Sequence, residues 1–177
     1  MVELHCHLDG SLRYSTLEEL LLQKNYQITD DIRFYPGMGI QEALSRFQTT
    51  LSVLQEPDAV ERVTREICED ARELRVFHTE IRFAPQLHHS VPVEEIVDAA
   101  ISGLDDNANL ILCGLYGEPP NVLNGLVEIA RTRPRVVGID LAGAPQADHR
   151  YGLFDYAEPF TRARDLGIGR TVHAAEG

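Results

Sequence analysis

The chain has 177 residues, of which 44% are hydrophobic and 25% carry a charge. This length and composition predict one soluble globular domain with a buried core. Its 28 acidic residues outnumber its 16 basic residues and give a net charge of -12, with no cluster of Lys and Arg. A nucleic-acid partner is therefore not expected, because binding to a phosphate backbone depends on clustered basic side chains.

The sequence predicts a cytoplasmic protein that does not enter a membrane. No apolar run approaches the ~18 residues that a membrane-spanning helix needs. The N-terminus passes directly into a predicted strand, without the basic and apolar regions of a signal peptide. Cys6, Cys68 and Cys113 are odd in number and far apart, a pattern typical of reduced thiols rather than disulfides.

Short apolar runs predict five β-strands, and apolar residues at three- and four-residue spacing predict helices between them. Because such alternation is typical of parallel βαβ units, the predicted fold class is α/β with a parallel sheet. The predicted strands are Val2–His7, Val76–Phe83, Leu110–Leu115, Val136–Leu141 and Arg170–Ala174. The predicted helices are Ser15–Lys24, Ile40–Leu54, Asp58–Leu74, Val93–Leu104, Val122–Ala130 and Phe154–Leu166.

Polar residues gather at the carboxyl ends of the predicted strands, which is the edge where parallel α/β sheets and barrels carry their sites. Asp9 and Gly10 follow the first strand, Asp140 and Gly143 end the fourth, and Glu176 follows the fifth. Asp140 either orients a ligand histidine or caps the strand end, and its spacing decides neither. The sequence therefore predicts a functional site at this edge.

Two histidines of the first strand predict a metal site. His5 and His7 project from the same face of that strand, roughly 7 Å apart. A third imidazole would complete the three protein ligands of a catalytic zinc site and leave one position for water. His173, at the end of the fifth predicted strand, is the candidate third ligand. Glu176 follows it closely enough to handle the protons of that water.

Other titratable residues favour structural interpretations. Glu80 and Arg82 share one face of the second strand, which favours a buried ion pair, or separate partners, over catalysis. His78 is predicted to pack in the core. The adjacent His88 and His89 are predicted to be solvated in a loop, and His149, in a polar loop, is predicted to be exposed.

Four segments of the chain carry a family resemblance: His5–Leu12, Glu80–Pro85, Gly138–Gly143 and Thr171–Glu176. They resemble successive motifs of the adenosine deaminase family, in the same order and at similar separations. That family is a zinc-dependent (β/α)₈ TIM barrel, a hydrolase of C–N bonds other than peptide bonds, which converts adenosine and water to inosine and ammonia. The resemblance implies a small-molecule purine nucleoside as substrate and about five of the eight βα units.

The resemblance also implies roles for individual residues. His5, His7 and His173 would bind one zinc ion per chain, and Glu176 would protonate the purine ring nitrogen as the catalytic residue. His7 would also contact the substrate.

Three further positions would contact the nucleoside. The resemblance implies that Asp9 and Gly10 lie by the ribose and that Gly143 offers its backbone to the purine. The chain departs from the family pattern at three places, where it has Ala175 instead of glycine, Ala144-Pro145 instead of an acidic residue, and Tyr116 instead of arginine.

Five strands cannot close an eight-stranded barrel. The predicted domain is therefore a partial barrel over residues 1–177, ending just after the fifth strand, and its open edges predict self-association. Alone, it is expected to be weakly active or inactive. Two alternative interpretations stay open, a truncated non-catalytic remnant and another H-x-H metal-dependent barrel hydrolase such as a phosphoesterase. The Leu8–Gly10 and Asp140–Gly143 segments disfavour the phosphoesterase.

Overall fold

A computed structural model describes residues 1–26 and 32–174 of the chain. The predicted catalytic residue Glu176 and the altered motif position Ala175 lie outside these ranges. The described residues form one parallel sheet whose strands lie side by side in sequence order, as predicted for βαβ units. The strands are β1 (Val2–His7), β2 (His78–Phe83), β3 (Ala108–Leu115), β4 (Val136–Ala142) and β5 (Gly169–Arg170).

Within the described ranges, six helices connect or flank these strands, and three of them lie between β1 and β2, as predicted. Pro57 and Pro120 each occupy the first helical position, where the missing N–H of proline would have no partner in any case. The helices are α1 (Tyr14–Gln23), α2 (Ile40–Val53), α3 (Pro57–Glu73), α4 (Val93–Gly103), α5 (Pro120–Thr132) and α6 (Ala157–Asp165).

The two faces of the sheet have different chemistry because side chains alternate along each strand. On one face, Leu110 and Leu112 of β3 are fully buried and join the large hydrophobic core. On the opposite face, Cys113 of β3 is paired in register with Asp140 of β4, and His7 of β1 with Arg82 of β2. Arg82, Cys113 and Asp140 therefore share the face that carries His7 of β1.

The fifth strand is shorter than the predicted Arg170–Ala174. Regular strand geometry covers only Gly169–Arg170, which is a correction to that prediction. The chain nevertheless continues beside β4, because the N–H groups of Thr171 and His173 donate to the carbonyl oxygens of Ile139 and Leu141 at 3.0 and 2.9 Å. This continued pairing carries His173 to the carboxyl edge of the sheet.

The sheet is open within the described residues, with β1 and β5 as its outer strands. Val2 and Leu4 of β1 are 55% and 53% exposed, so the outer strand presents apolar side chains to solvent. None of the helices in the described ranges is long and apolar enough to cross a bilayer.

Candidate active site

The three predicted metal ligands lie together at the carboxyl edge of the sheet. The Nε2 atom of His5 is 3.2 Å from Nε2 of His7 and 3.0 Å from Nε2 of His173. The Nε2 atoms of His7 and His173 are 3.1 Å apart. In the part of the chain that the structure describes, these are the residues whose donor atoms form a cluster able to hold a metal ion.

This spacing fits a tetrahedral metal. Zinc binds imidazole nitrogen at about 2.0 Å, and tetrahedral angles then separate two ligand nitrogens by about 3.3 Å. Burial, followed by the nearby His173 and His5, lowers the pKa of His7 to about 4, so its imidazole is neutral near pH 7. A neutral imidazole offers the lone pair that a metal requires.

Asp140 lies beside His173, the third predicted ligand. Its Oδ2 atom lies 2.7 Å from Nδ1 of His173, although that nitrogen makes no hydrogen bond of good geometry. A carboxylate on one ring nitrogen favours a proton there and leaves the lone pair of the other nitrogen for a metal. Burial opposes ionisation of Asp140, but contacts with His173, Arg82 and Cys113 outweigh it and lower its pKa.

Asp9 brings a buried carboxylate to the same region, with its Oδ1 atom 3.9 Å from Nδ1 of His7. It lies in the 3₁₀ turn Leu8–Gly10 directly after β1, is 7% exposed, and its Oδ1 has no hydrogen-bond partner in the described ranges. Burial raises its pKa to about 6. A buried polar atom without a partner is unfavourable, so a ligand hydroxyl group that donates to Oδ1 would be stabilised here.

Gly143 turns the chain out of β4 with a φ of +83°, a backbone conformation that L side chains rarely adopt. It follows the last residue of the strand and lines the same cavity as the histidines. Of the substrate-contact positions expected from the sequence, His7, Asp9 and Gly143 line this cavity, whereas Gly10 lines a neighbouring one.

That space is a cavity of about 530 Å³, within the range of small-molecule sites. Helix α2 and aromatic rings form one wall, with the ring of Phe47 5.9 Å from that of His7. A neighbouring cavity of about 750 Å³ shares Asp9, Phe34 and Phe47 but lacks the three histidines. The side chains of the α2 wall are Ile40, Ala43, Leu44, Phe47 and Leu51.

Three histidines lie in surroundings other than those predicted from the sequence. His78 does not pack in the core, because it is the first residue of β2, where its side chain is 37% exposed and lies 3.8 Å from the carboxylate of Glu80. His88 is 2% exposed, not solvated, because the 3₁₀ turn Pro85–Leu87 directs its ring inward, where Nδ1 contacts the carbonyl oxygen of Leu54. His149 is partly buried and lines the cavity. Its ring packs so closely on Gly117 that an added Cβ there would lie 2.8 Å from it.

Comparison with known proteins agrees with this geometry. A sequence model of adenosine deaminase matches residues 1–177. The chain belongs to the adenosine deaminase family. The adenosine deaminase of Clostridium acetobutylicum is 36% identical over 99% of this chain and 57% of its own length. A probable adenosine deaminase of Dictyostelium discoideum is also 36% identical, over 98% of this chain and 25% of its own length.

Solved structures of deaminases share the fold. Arabidopsis ADAL complexed with IMP superposes with a TM-score of 0.82 at 25% identity, over 98% of this chain and 57% of that one. The N6-methyl-AMP deaminase of Arabidopsis thaliana gives a TM-score of 0.79 at 26% identity, over 98% of this chain and 57% of that one. The family and the parallel α/β fold predicted from the sequence are thus confirmed. The chain spans little more than half the length of several of these proteins.

Two of the described departures from the adenosine deaminase pattern lie at the cavity. Tyr116 and Ala144 both line it, next to Gly143, and Pro145 is exposed. The ring of Tyr116 packs edge-on against Tyr156 at 6.2 Å. This wall of the cavity therefore carries no charge at positions 116 and 144.

Proposed function

We propose that this chain carries the site of a zinc-dependent deaminase that hydrolyses adenosine, or a related purine nucleoside, to inosine and ammonia. His5, His7 and His173 would hold one zinc ion per chain. The observation that carries the proposal is the convergence of their three Nε2 atoms within 3.2 Å of one another. Membership of the adenosine deaminase family supports the same reaction.

Each proposed site residue then has a defined task. A bound zinc ion supplies Lewis-acid activation of water for attack on the purine. Asp140 keeps His173 oriented, and Asp9 accepts a hydrogen bond from a ribose hydroxyl group. Gly143 presents its backbone to the purine, and Glu176 delivers a proton to the ring nitrogen, which makes the ring carbon more electrophilic.

The phosphoesterase interpretation is not favoured. Such a hydrolase needs further His and Asp ligands for two or three metals. Over residues 1–26 and 32–174, the one cluster that could hold a metal consists of three histidines, and it suits a single ion. The cavity wall formed by α2 is apolar, which suits a purine ring better than a phosphate group.

Zinc binding and nucleoside binding test the proposal separately. Protein purified without chelator should contain zinc at one equivalent, and His5→Ala should lose it, whereas the exposed His89→Ala should keep it. Zinc-loaded protein should bind inosine, the stable product, more tightly than cytidine in calorimetry. Zinc content unaffected by His5→Ala, or equal binding of the two nucleosides, would contradict the proposal.

A further inference from the structure

We propose that Arg82 is a positioning residue that fixes the relative placement of the metal ligands on β1 and after β5. It would do so by bridging the backbone of β1 to the carboxylate of Asp140. The inference rests on the proposed function, because it takes the cluster of His5, His7 and His173 as the metal site.

The guanidinium group of Arg82 makes one hydrogen bond to each side of the site. Its Nη2 donates to the carbonyl oxygen of Leu4 at 2.6 Å, and its Nη1 donates to Oδ2 of Asp140 at 3.2 Å. Arg82 is 4% exposed and Asp140 is 0% exposed, so solvent does not compete for these contacts. One planar, rigid group donates both hydrogen bonds.

Each of these contacts leads directly to a metal ligand. The carbonyl of Leu4 belongs to the peptide bond that joins Leu4 to His5. The carboxylate oxygen that Arg82 contacts is the one that lies 2.7 Å from Nδ1 of His173. His7 is the register partner of Arg82 across β1 and β2. The guanidinium group of Arg82 is thus linked to His5 through the carbonyl of Leu4 and to His173 through Asp140. His7 lies beside Arg82 on the neighbouring strand.

Stability alone is a poor explanation for this arrangement. The Nε atom of Arg82 and the Oδ1 atom of Asp140 have no hydrogen-bond partners in the described part of the chain. A buried ion pair with unsatisfied atoms recovers little of its desolvation cost, and apolar residues often serve stability equally well. The pair makes sense where a fixed geometry is needed, because a planar fork holds two acceptors at a set separation.

Cys113 makes the orientation of Asp140 more specific. Its thiol lies 3.4 Å from the same Oδ2 atom. His173, Arg82 and Cys113 therefore all contact one carboxylate oxygen, which leaves the carboxylate little freedom to rotate. A carboxylate fixed in this way can in turn fix the imidazole of His173.

The substitution Arg82→Lys tests this role, because lysine keeps the charge but cannot reach two acceptors through a planar fork. We expect its zinc affinity, measured by competition with a chelating dye, to fall by about 10- to 100-fold. The visible spectrum of the cobalt-substituted protein should also change, because ligand geometry sets its bands. A merely structural role would lower the melting temperature without changing the cobalt spectrum.

Arg135→Lys is the matched control. Arg135 also bonds strand backbone, through the carbonyl oxygens of Asp105 and Ala108, but at the amino edge of the sheet, opposite the site. We expect it to keep the wild-type zinc affinity and cobalt spectrum. Equal zinc affinity and equal cobalt spectra in the wild type and in Arg82→Lys would overturn the inference and leave the proposed function standing. A wild-type protein that binds no zinc at the three histidines would instead overturn the proposed function.

If Arg82→Lys does not melt cooperatively without zinc, a measurement on the wild-type protein tests the same inference. Nuclear magnetic resonance of the arginine side chains should show slowly exchanging Nη protons for Arg82, since these protons are buried and hydrogen-bonded. Zinc addition should shift these resonances and leave those of Arg135 unchanged. Arg82 resonances that do not respond to zinc would overturn the inference.

Discussion

The Nδ1 atom of His173 lies 2.7 Å from Oδ2 of Asp140, a carboxylate with no solvent exposure. The contact joins the segment after β5 to the end of β4, so the least regular of the described strands gains a fixed point where it carries a metal ligand. Metal-binding histidines commonly contact a carboxylate through the second ring nitrogen, which fixes both the tautomer and the ring orientation. Asp140 therefore matters for metal affinity although it is not itself a ligand.

Asp140→Asn should lower zinc affinity by about 10- to 100-fold, because an amide keeps the volume but removes the negative charge that faces His173. Competition with a chelating dye measures the change. Asp98→Asn is the control, because Asp98 pairs with Arg133 at the surface and is remote in sequence from the ligands. Equal zinc affinity in the two variants would contradict the role given to Asp140.

His88 should contribute a loss of stability in mild acid. Burial lowers the pKa of its imidazole, while the carbonyl oxygen of Leu54 acts in the opposite direction. In the unfolded chain this histidine takes up a proton near pH 6.5, as free imidazole does, whereas the folded protein takes it up only at lower pH. Protons therefore bind preferentially to the unfolded chain, and the free energy of unfolding falls as pH drops below about 6.5.

The substitution His88→Asn should make the free energy of unfolding less dependent on pH in this range. Urea denaturation at pH 7 and pH 5 measures the dependence. His89→Asn is a matched control at the next residue, which is exposed, and it should keep the wild-type dependence. A wild-type slope in His88→Asn would show that other groups account for the acid sensitivity.

Two glycine substitutions should have opposite effects on stability. Gly143→Ala forces a side chain into a backbone with φ of +83° and should destabilise the protein by about 1–2 kcal/mol. Gly125→Ala, within α5 and facing open space, should stabilise it by about 0.5–1 kcal/mol. Urea denaturation of both variants measures the difference. A neutral Gly143→Ala would show that the positive φ relaxes without cost.

The strands and the metal cluster could be predicted from sequence, because alternation along β1 and the order of apolar runs determine which side chains meet at the carboxyl edge. The burial of His88 could not be predicted from the sequence. It depends on a 3₁₀ turn that turns the ring toward Leu54, and two adjacent histidines in a loop give no sign of that turn. The sequence also gives no sign that His149 packs on Gly117 at the cavity.

The sequence also does not show that α2 forms a wall of the cavity. Its three- and four-residue spacing shows that one face is apolar, but an apolar helix face is equally consistent with packing on the core. Only the packing of the helix over the 3₁₀ turn Leu8–Gly10 and the ring of His7 places Phe47 beside the metal cluster. The length of the fifth strand was overestimated because an apolar run continues past Arg170, whereas regular pairing with β4 ends there.

The open outer strand should promote self-association. Over the described residues β1 is an outer strand of the sheet, and its Val2 and Leu4 side chains are 55% and 53% exposed. An apolar outer strand is a template for pairing with another chain. Leu4→Lys should therefore shift the protein toward the monomer, because a charged side chain at the edge opposes strand pairing. Size-exclusion chromatography with light scattering over a concentration series measures this shift.

Leu153→Lys is the control, because Leu153 is 56% exposed but lies in the turn before α6, away from the sheet edge. Equal association in the two variants, or a wild type that stays monomeric at all concentrations, would contradict the prediction.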